Sequence, residues 1–309
     1  MKIAFLGTPD FALPSLKMLH ERGDDVVVFT QPDKPVGRKA VMTPPPVKKA
    51  ALEYGMKVYQ FDKIKSEEGV AALKTEAPEL MVTAAFGQIL SRENLAVPKY
   101  GCINVHGSLL PKYRGAAPIQ WAVINGEKIT GVTTMLTDIG LDTGDILLKK
   151  ETEIGANETA GELFGRLAEM GAELLKETIE ALERGELKPI KQNEAEATKC
   201  GMIKKEYGHI DFSRGKEAVH NLVRGMNPWP CAYAMLEGEA VKIWKTRHSD
   251  AEPSRGEPGL ILRADRFNGI LVDCGDGVIE ILELQFPGAK RMDAASAVLG
   301  HKMGFKVFE

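Results

Sequence analysis

Cysteine and aromatic side chains are scarce in this chain of 309 residues, and it has no long run of apolar residues. Its four cysteines are far apart, at spacings that fit neither a zinc site nor a redox motif. No apolar run approaches the roughly 18 residues that a membrane span needs. We therefore expect no metal, no membrane contact and a reducing, cytoplasmic location. The cysteines are Cys102, Cys200, Cys231 and Cys274.

At the N-terminus, Lys2–Leu6 is typical of a strand and shows no charged leader or cleavage site, so we expect no targeting signal. With 44% hydrophobic and 27% charged residues, the composition is that of an ordinary globular protein, and the length favours two domains. The net charge of −3 provides no general attraction to nucleic acid. Any such contact would depend on local basic patches.

The chain divides into three parts that differ in their pattern of apolar and charged residues. Residues 1–188 alternate short apolar runs with amphipathic stretches, which indicates strands separated by helices. This order predicts an α/β fold with a mostly parallel sheet and helices on both faces. Residues 189–205 are charged and lack apolar periodicity, which predicts a linker. Residues 206–309 contain a short helix and several short strands, which predict a small barrel or sandwich.

Several elements of the first part can be placed individually. Helix Pro118–Ile124 begins with proline, and Ile146–Glu153 is predicted to be a strand. A long helix is predicted to begin at Thr159, with Glu162 three positions later as the partner in a capping box. Between the second strand and the second helix, Gln31–Thr43 is predicted to be a polar loop.

One segment places two polar side chains at the end of a strand. Gly101–Val105 is predicted to be buried, and successive side chains of a strand alternate between its faces, so Asn104 and His106 share one face. Gly107 then ends the strand, and Pro111 holds the chain open. The carboxyl end of a strand is where open α/β sheets usually bind ligands, so this segment is the candidate site.

A carboxylate in a second motif completes a candidate catalytic group. Asp142 lies in Leu141–Asp145, a loop that two flanking glycines make pliable. Acyl-type transfer passes through a tetrahedral intermediate with charge on oxygen, and each donor aimed at that oxygen contributes roughly 10²–10³ in rate. The Asn104 amide and a protonated His106 would be two such donors. Asp142 would orient the imidazole and accept the proton of an attacking amine.

The residues alone leave other roles open for this group. A lone histidine at a strand end is often structural, and the pattern does not choose between that role and catalysis. Ser108 with His106 and Asp142 also suggests a serine hydrolase, but no Gly-x-Ser-x-Gly elbow exposes the serine. A metal site built from His106 and the nearby aspartates lacks a second histidine and the usual zinc spacings.

Two loops resemble nucleotide or nucleic-acid contacts only weakly. Gly7–Asp10 joins a strand to a helix but lacks the further glycines of a dinucleotide fingerprint, so a structural turn is favoured. Lys34–Lys39 is basic and has few apolar anchors. Composition favours a solvated surface loop, and a finger that touches phosphate or a base edge is the alternative.

Taken together, these motifs resemble those of the 10-formyltetrahydrofolate-dependent formyltransferases. The strings Asn104–Pro111, Arg114–Pro118 and Gly140–Asp145 carry the resemblance. Within the family, the chain is similar over essentially its full length to the members that formylate methionyl-tRNA. Four shorter strings fit those members: Gly7–Phe11, Gln31–Asp33, Gly37–Arg38 and Asn227–Pro230.

The resemblance implies a fold and a role for each matching residue. The N-terminal part would be the Rossmann-like formyltransferase domain, and the C-terminal part an OB-like barrel that contacts tRNA. Asn104, His106 and Asp142 match the family's catalytic trio, and Arg38 matches the loop residue that engages the tRNA acceptor end. The segment that contacts tetrahydrofolate corresponds here to Ser108, Leu109, Leu110 and Pro111.

The implied reaction is formyl transfer from 10-formyltetrahydrofolate to the free α-amino group of initiator methionyl-tRNA, giving N-formylmethionyl-tRNA for translation initiation. The expected partners are tRNA and the folate co-substrate, and the chain is expected to act as a monomer. The enzymatic alternatives are a relative acting on a sugar-nucleotide amine or glycinamide ribonucleotide, or a formyltetrahydrofolate hydrolase. A folate or RNA binding module without catalysis is the non-enzymatic alternative.

Overall fold

The structure, a computed structural model, describes residues 1–37, 39–254 and 256–309. They form two compact units. The first comprises Met1–Gly115, Thr130–Thr152 and Phe164–Cys200, and the second comprises Ala116–Ile129, Glu153–Leu163 and Gly201–Glu309. Within the described ranges, no helix combines the length and the apolar character that a membrane span requires.

The first unit is built on a central sheet. Its strands are β1 (Lys2–Gly7), β2 (Asp25–Thr30), β3 (Lys34–Val36), β4 (Val41–Thr43), β5 (Lys57–Gln60), β6 (Leu80–Ala84), β7 (Cys102–His106), β8 (Arg114–Gly115), β9 (Ile129–Leu136), β10 (Ile146–Glu153) and β11 (Lys199–Cys200). Seven of them lie in the order β10-β9-β7-β6-β1-β2-β5. The five neighbours β7, β6, β1, β2 and β5 are parallel to one another, and β9 is antiparallel to β7. The predicted mostly parallel α/β sheet is confirmed.

Helices connect most of the parallel strands. The helices of the chain are α1 (Leu13–Glu21), α2 (Pro46–Glu53), α3 (Glu67–Glu76), α4 (Arg92–Leu95), α5 (Pro118–Ile124), α6 (Ala160–Glu183), α7 (Lys216–Gly225) and α8 (Ala294–Gly300). The predicted capping box at the start of α6 is confirmed. The Glu162 N–H donates to the Thr159 hydroxyl at 3.2 Å, and the Thr159 N–H donates to Glu162 Oε2 at 2.8 Å.

The central strands are apolar because both faces of the sheet are covered. Every residue of β6 is buried, as are the last five of β1 and of β2. Strands buried on both faces appear in sequence as continuous apolar runs, which is why these three were predictable. One apolar cluster of this unit comprises Ala4, Leu6, Val27, Phe29, Ile64, Leu73, Met81, Phe86, Leu90 and Cys102.

The predicted polar loop Gln31–Thr43 is wrong in part, because it contains a hairpin. Strands β3 and β4 pair antiparallel within it. Three of their apolar side chains, Val36, Val41 and Met42, are exposed. Strands of three residues without a buried face leave no periodic signal in the sequence. Arg38, the predicted tRNA contact, lies outside the described residues.

The second unit is an antiparallel β-rich domain, as predicted for the C-terminal part. Its strands are β12 (Ala232–Leu236), β13 (Glu239–Ser249), β14 (Ile261–Asp265), β15 (Gly269–Asp273), β16 (Val278–Gln285) and β17 (Met292–Asp293). They lie in the order β12-β13-β16-β15-β14, with β17 beside β16. The chain end bridges both outer strands, because Phe308 pairs with Leu236 and Val307 pairs with Leu260. The sheet is thereby closed towards a barrel.

The segment after α6 is structured, and as far as Cys200 it is part of the first unit. A turn of 3₁₀ helix spans Glu194–Glu196, and β11 pairs parallel with β8. The Thr198 carbonyl accepts the Arg114 N–H at 2.9 Å, and its hydroxyl accepts the Tyr113 N–H at 2.8 Å. These residues fall inside the stretch predicted to be a linker, and they border the candidate site.

Candidate active site

The site is built from the carboxyl end of β7, where Asn104 lies beside Thr83 of β6. The two residues are register partners, so their side chains emerge next to each other. The Thr83 hydroxyl donates to Asn104 Oδ1 at 2.8 Å. Because the carboxamide oxygen is used in this bond, the polar group left on the Asn104 side chain is the Nδ2 donor. Thr83 thus orients Asn104 as a hydrogen-bond donor.

His106 is 6% exposed and is held by a main-chain carbonyl. Its Nε2 lies 2.9 Å from the Tyr113 carbonyl oxygen. A carbonyl oxygen only accepts hydrogen bonds, so Nε2 must carry the proton and Nδ1 is the ring nitrogen whose protonation can change. The imidazole is thereby fixed in one orientation, and Nδ1 is the ring nitrogen left for the reaction.

Nδ1 of His106 faces Asp142. It lies 3.7 Å from Asp142 Oδ2, longer than a direct hydrogen bond and within ion-pair range. The same carboxylate oxygen accepts the Gly115 N–H at 2.8 Å. Asp142 adopts the left-handed region at φ 54°, which few residues other than glycine, asparagine and aspartate tolerate. The carboxylate is therefore placed by its own backbone and by Gly115.

The loop that carries Asp142 is tied internally. The Asp138 carboxylate accepts the Gly140 N–H at 2.9 Å and the Thr143 hydroxyl at 2.7 Å. A side chain at Gly144 would lie 1.7 Å from the Leu136 carbonyl oxygen, so only glycine allows the loop to approach β9. The glycine at 144 thus serves close packing, and the loop presents Asp142 from a braced turn.

The segment after β7 folds back on itself. The Ser108 hydroxyl donates to the Lys112 carbonyl at 2.7 Å. The Thr133 hydroxyl donates to the Ser108 carbonyl at 2.7 Å and accepts the Leu110 N–H at 3.1 Å. Ser108 is 1% exposed and gives its proton to a carbonyl instead of a base, which argues against a serine nucleophile.

The structure thus brings His106 and Asp142 together, with Asn104 two residues before His106 on the same strand and Ser108–Pro111 directly after that strand. Of that segment, Leu109 alone has a partly exposed side chain, and the other three are buried. Burial raises the pKa of the nearby Cys102 thiol to about 11, so it stays protonated at neutral pH. No group of three or more metal-ligating side chains was found among the described residues.

Sequence reasoning missed the groups that orient this trio. Thr83, the Tyr113 carbonyl and the Gly115 N–H each hold one of the three side chains. A main-chain group carries no residue-type signal, so the last two could not be found from composition or spacing. Thr83 lies in a strand that the sequence shows only as an apolar run.

Basic and aromatic side chains gather on the second unit. Arg291 lies over the Trp244 ring at 4.8 Å, and both line a cavity of about 610 Å³ with Lys245 and His220. Burial is the main cause that lowers the pKa of His220. Arg247 on the same strand as Trp244 is paired with Glu280 at 2.6 Å. The positive charge of this surface is thus partly neutralised within the unit.

The chain belongs to the formyl transferase family. The family model described as formyl transferase matches residues 1–179, and the model described as formyl transferase, C-terminal domain, matches residues 202–302. Together the two models cover most of the chain.

The chain is similar to curated methionyl-tRNA formyltransferases over nearly its whole length. It is 52% identical over 305 residues to that of Ruminiclostridium cellulolyticum, covering 98% of this chain and 97% of the relative. It is 50% identical over 305 residues to that of Acetivibrio thermocellus, covering 98% of both. Identity at this level over both domains separates the chain from more distant members of the family.

Solved structures share the fold at low identity. WlaRD, a sugar 3N-formyl transferase crystallised with dTDP and 5-N-formyl-THF, is 21% identical with a TM-score of 0.69, covering 94% of this chain and 99% of that one. HypX from Aquifex aeolicus in complex with tetrahydrofolic acid is 18% identical with a TM-score of 0.65, covering 100% of this chain and 51% of that one. At these identities the likeness concerns the fold alone.

Proposed function

We propose that the protein transfers the formyl group of 10-formyltetrahydrofolate to the α-amino group of initiator methionyl-tRNA. The observation that carries the proposal is 50% identity over 98% of both chains with a methionyl-tRNA formyltransferase. The placement of Asn104 and His106 on one face of β7, with Asp142 Oδ2 3.7 Å from His106 Nδ1, supports it, because such groups can stabilise an oxyanion and accept a proton in acyl transfer. Sugar formyltransferases share the fold at much lower identity.

In the proposed mechanism the amine nitrogen attacks the formyl carbon. A new carbon–nitrogen bond forms, and the carbonyl oxygen becomes an oxyanion that Asn104 Nδ2 and a protonated His106 Nδ1 stabilise. An α-amino group titrates near pH 7.7–8.0, so a substantial neutral fraction is already nucleophilic. Asp142 takes the proton that the amine loses. The oxyanion then re-forms the carbonyl as the bond to N10 of the folate breaks, and N10 takes up the proton that Asp142 had accepted.

We propose that Ser108, Leu109, Leu110 and Pro111 contact the folate. Three of their side chains are buried, so the contact would be made by main-chain groups and by Leu109. Thr133 fixes this segment through the Ser108 carbonyl and the Leu110 N–H. A rigid main-chain surface beside His106 is suited to holding a flat ring system next to the reacting carbon. Folate derivatives in the structures of two fold neighbours support this role.

We further propose that the protein acts in the cytoplasm as a monomer. We also propose that different parts of the chain have different roles. Residues 1–188 would carry the chemistry, 189–205 would connect the parts, and 206–309 would contact tRNA. Lys245 and Arg291 line the cavity of the second unit together with Glu162 and Glu283, and Arg291 is paired with Glu283. Lys245 would be the cation of this lining that contacts phosphate. Arg38 would engage the acceptor end of the tRNA.

Replacing Arg38 with alanine is expected to raise KM for methionyl-tRNA about tenfold while KM for the folate stays within about twofold, because one charged contact is worth about 1–3 kcal/mol. Steady-state formylation with each substrate varied in turn measures both constants. Lys17→Ala is the matched control, since Lys17 is an exposed cation of the first unit paired with Glu21 at 3.6 Å. Equal effects of the two variants on tRNA use would contradict the role of Arg38.

Raising the salt concentration from about 50 to 200 mM is expected to lower kcat/KM for methionyl-tRNA by at least about tenfold, because phosphate contacts release counterions. The Arg38→Ala variant should show a shallower slope of log kcat/KM against log salt. Folate binding in the absence of tRNA, followed by fluorescence, is the reference. If kcat/KM for tRNA varies no more with salt than folate binding does, the electrostatic contact is absent.

The proposal is tested by supplying labelled 10-formyltetrahydrofolate with methionyl-tRNA, with a sugar-nucleotide amine, or with water alone. Label should pass to methionyl-tRNA at least about 100-fold faster than to the sugar amine. Preferential labelling of the sugar amine would assign the protein to that branch of the family. Release of labelled formate without an acceptor would assign it as a hydrolase.

A further inference from the structure

Gln192 lies between α6 and β11 and forms hydrogen bonds with the loop that carries Asp142. Its Nε2 group donates to the main-chain carbonyl oxygens of Asp142 and of Gly144, each at 2.8 Å. Both hydrogens of one amide group are used, one on each end of the same turn. Fixing the Asp142 carbonyl also fixes its Cα, and therefore limits where its carboxylate points.

Contacts on both sides of Asp142 fix its backbone. Its φ of 54° lies in the left-handed region, which aspartate tolerates better than most residues. The contacts on either side of this residue are the Gly115 N–H on its carboxylate and Gln192 on its carbonyl. Together they hold Asp142 Oδ2 at 3.7 Å from His106 Nδ1.

A buried cation sets the orientation of Gln192. Arg114 Nε donates to Gln192 Oε1 at 2.9 Å, which forces the amide oxygen towards Arg114 and the NH₂ group towards the loop. The remaining guanidinium nitrogens pair with both oxygens of Glu194 at 3.0 and 2.7 Å. The Arg114 side chain is 3% exposed and that of Glu194 is 72% exposed. These bonds raise the pKa of Arg114 and lower the pKa of Glu194.

We propose that Gln192, oriented by Arg114 and Glu194, is a positioning residue for Asp142. The inference rests on the proposed function, because it assigns Gln192 to the same reaction. Gln192 touches no reacting atom and acts only through the place of the carboxylate. Residues after α6 that look like a connector in sequence are therefore part of the catalytic apparatus.

The test is a cycle of variants at positions 192 and 142. Gln192→Met removes both donors at similar volume, and Gln192→Glu removes them while keeping an acceptor for Arg114. Each is expected to lower kcat about 10–100-fold, with both KM values within about twofold, because small misplacements of a catalytic group cost that much. In an Asp142→Asn background the same changes should cost less than about threefold, since the group they position is gone.

Glu196→Gln is the matched control, because Glu196 lies in the same segment and bonds Asn193 at 2.9 Å. It should leave kcat within about twofold. Hydrogen exchange provides a second measure, and the Gly115 N–H should exchange faster in Gln192→Met than in the parent protein. Equal losses of kcat in both backgrounds, or unchanged kcat in both Gln192 variants, would overturn the inference. An inactive parent protein would instead refute the proposed function.

Discussion

His106→Ala is expected to lower kcat for formyl transfer by about 10²–10⁴-fold, with KM for folate and tRNA changed little. The ring is buried, its Nε2 is fixed on the Tyr113 carbonyl, and its Nδ1 faces Asp142. We expect a group held in this way to act mainly when charge develops on the substrate. Its loss therefore falls on the step in which charge develops, which single-turnover formylation at saturating substrate measures directly.

His20→Ala is the matched control for His106, since His20 is an exposed histidine of the first unit that stacks on Tyr54. It should leave kcat within about twofold. Asp142→Asn should lower kcat by a factor similar to His106→Ala, and the double variant should be little worse than either alone, because the two groups act as one unit. Turnover near the parent rate in either single variant would remove the mechanism.

Asn104→Ala is expected to lower kcat by about 10²–10³-fold, because it removes one preorganised donor to the oxyanion. Asn104→Asp should be slower still. A carboxylate has nearly the same shape, but it replaces the donor with a negative charge beside the oxygen that becomes negative. The ratio of the two kcat values thus separates loss of a donor from loss of packing.

Thr83→Val tests the same donor indirectly and is expected to have a smaller effect than the Asn104 variants. It keeps the shape of the residue and removes the hydroxyl that donates to Asn104 Oδ1 at 2.8 Å. The loss of one orienting hydrogen bond should cost kcat about tenfold or less. Thermal unfolding of all three variants checks that the fold is intact. An Asn104→Asp enzyme as active as Asn104→Ala would contradict the role of the amide as a donor.

The central sheet was predictable because its strands are apolar runs bounded by turns. Strand β10 and helix α5 have the predicted bounds, and the start of α6 follows from a capping box visible in the sequence. The direction of β9 was not predictable. Apolar content reports burial, whereas antiparallel pairing with β7 depends on where the connecting segment leads the chain.

The candidate site could be predicted only as far as side chains define it. Asn104 and His106 share a face because strands alternate, and in the structure His106 Nδ1 lies 3.7 Å from Asp142 Oδ2. The distances depend on groups that sequence patterns do not show. The Tyr113 carbonyl and the Gln192 amide are brought to the site by the pairing of β8 with β11, which are two residues each and leave no periodic trace.

The His106 imidazole and the Asp142 carboxylate are both hydrogen-bonded to the main chain of residues 113–115. The Tyr113 carbonyl accepts a hydrogen bond from His106 Nε2, and two residues later the Gly115 N–H donates to Asp142 Oδ2. An inserted residue between these anchors would shift proton donor and proton acceptor relative to each other by about 3.3 Å, the rise per residue of extended chain. Length, more than side-chain identity, is therefore the trait that natural variation should preserve in this tripeptide.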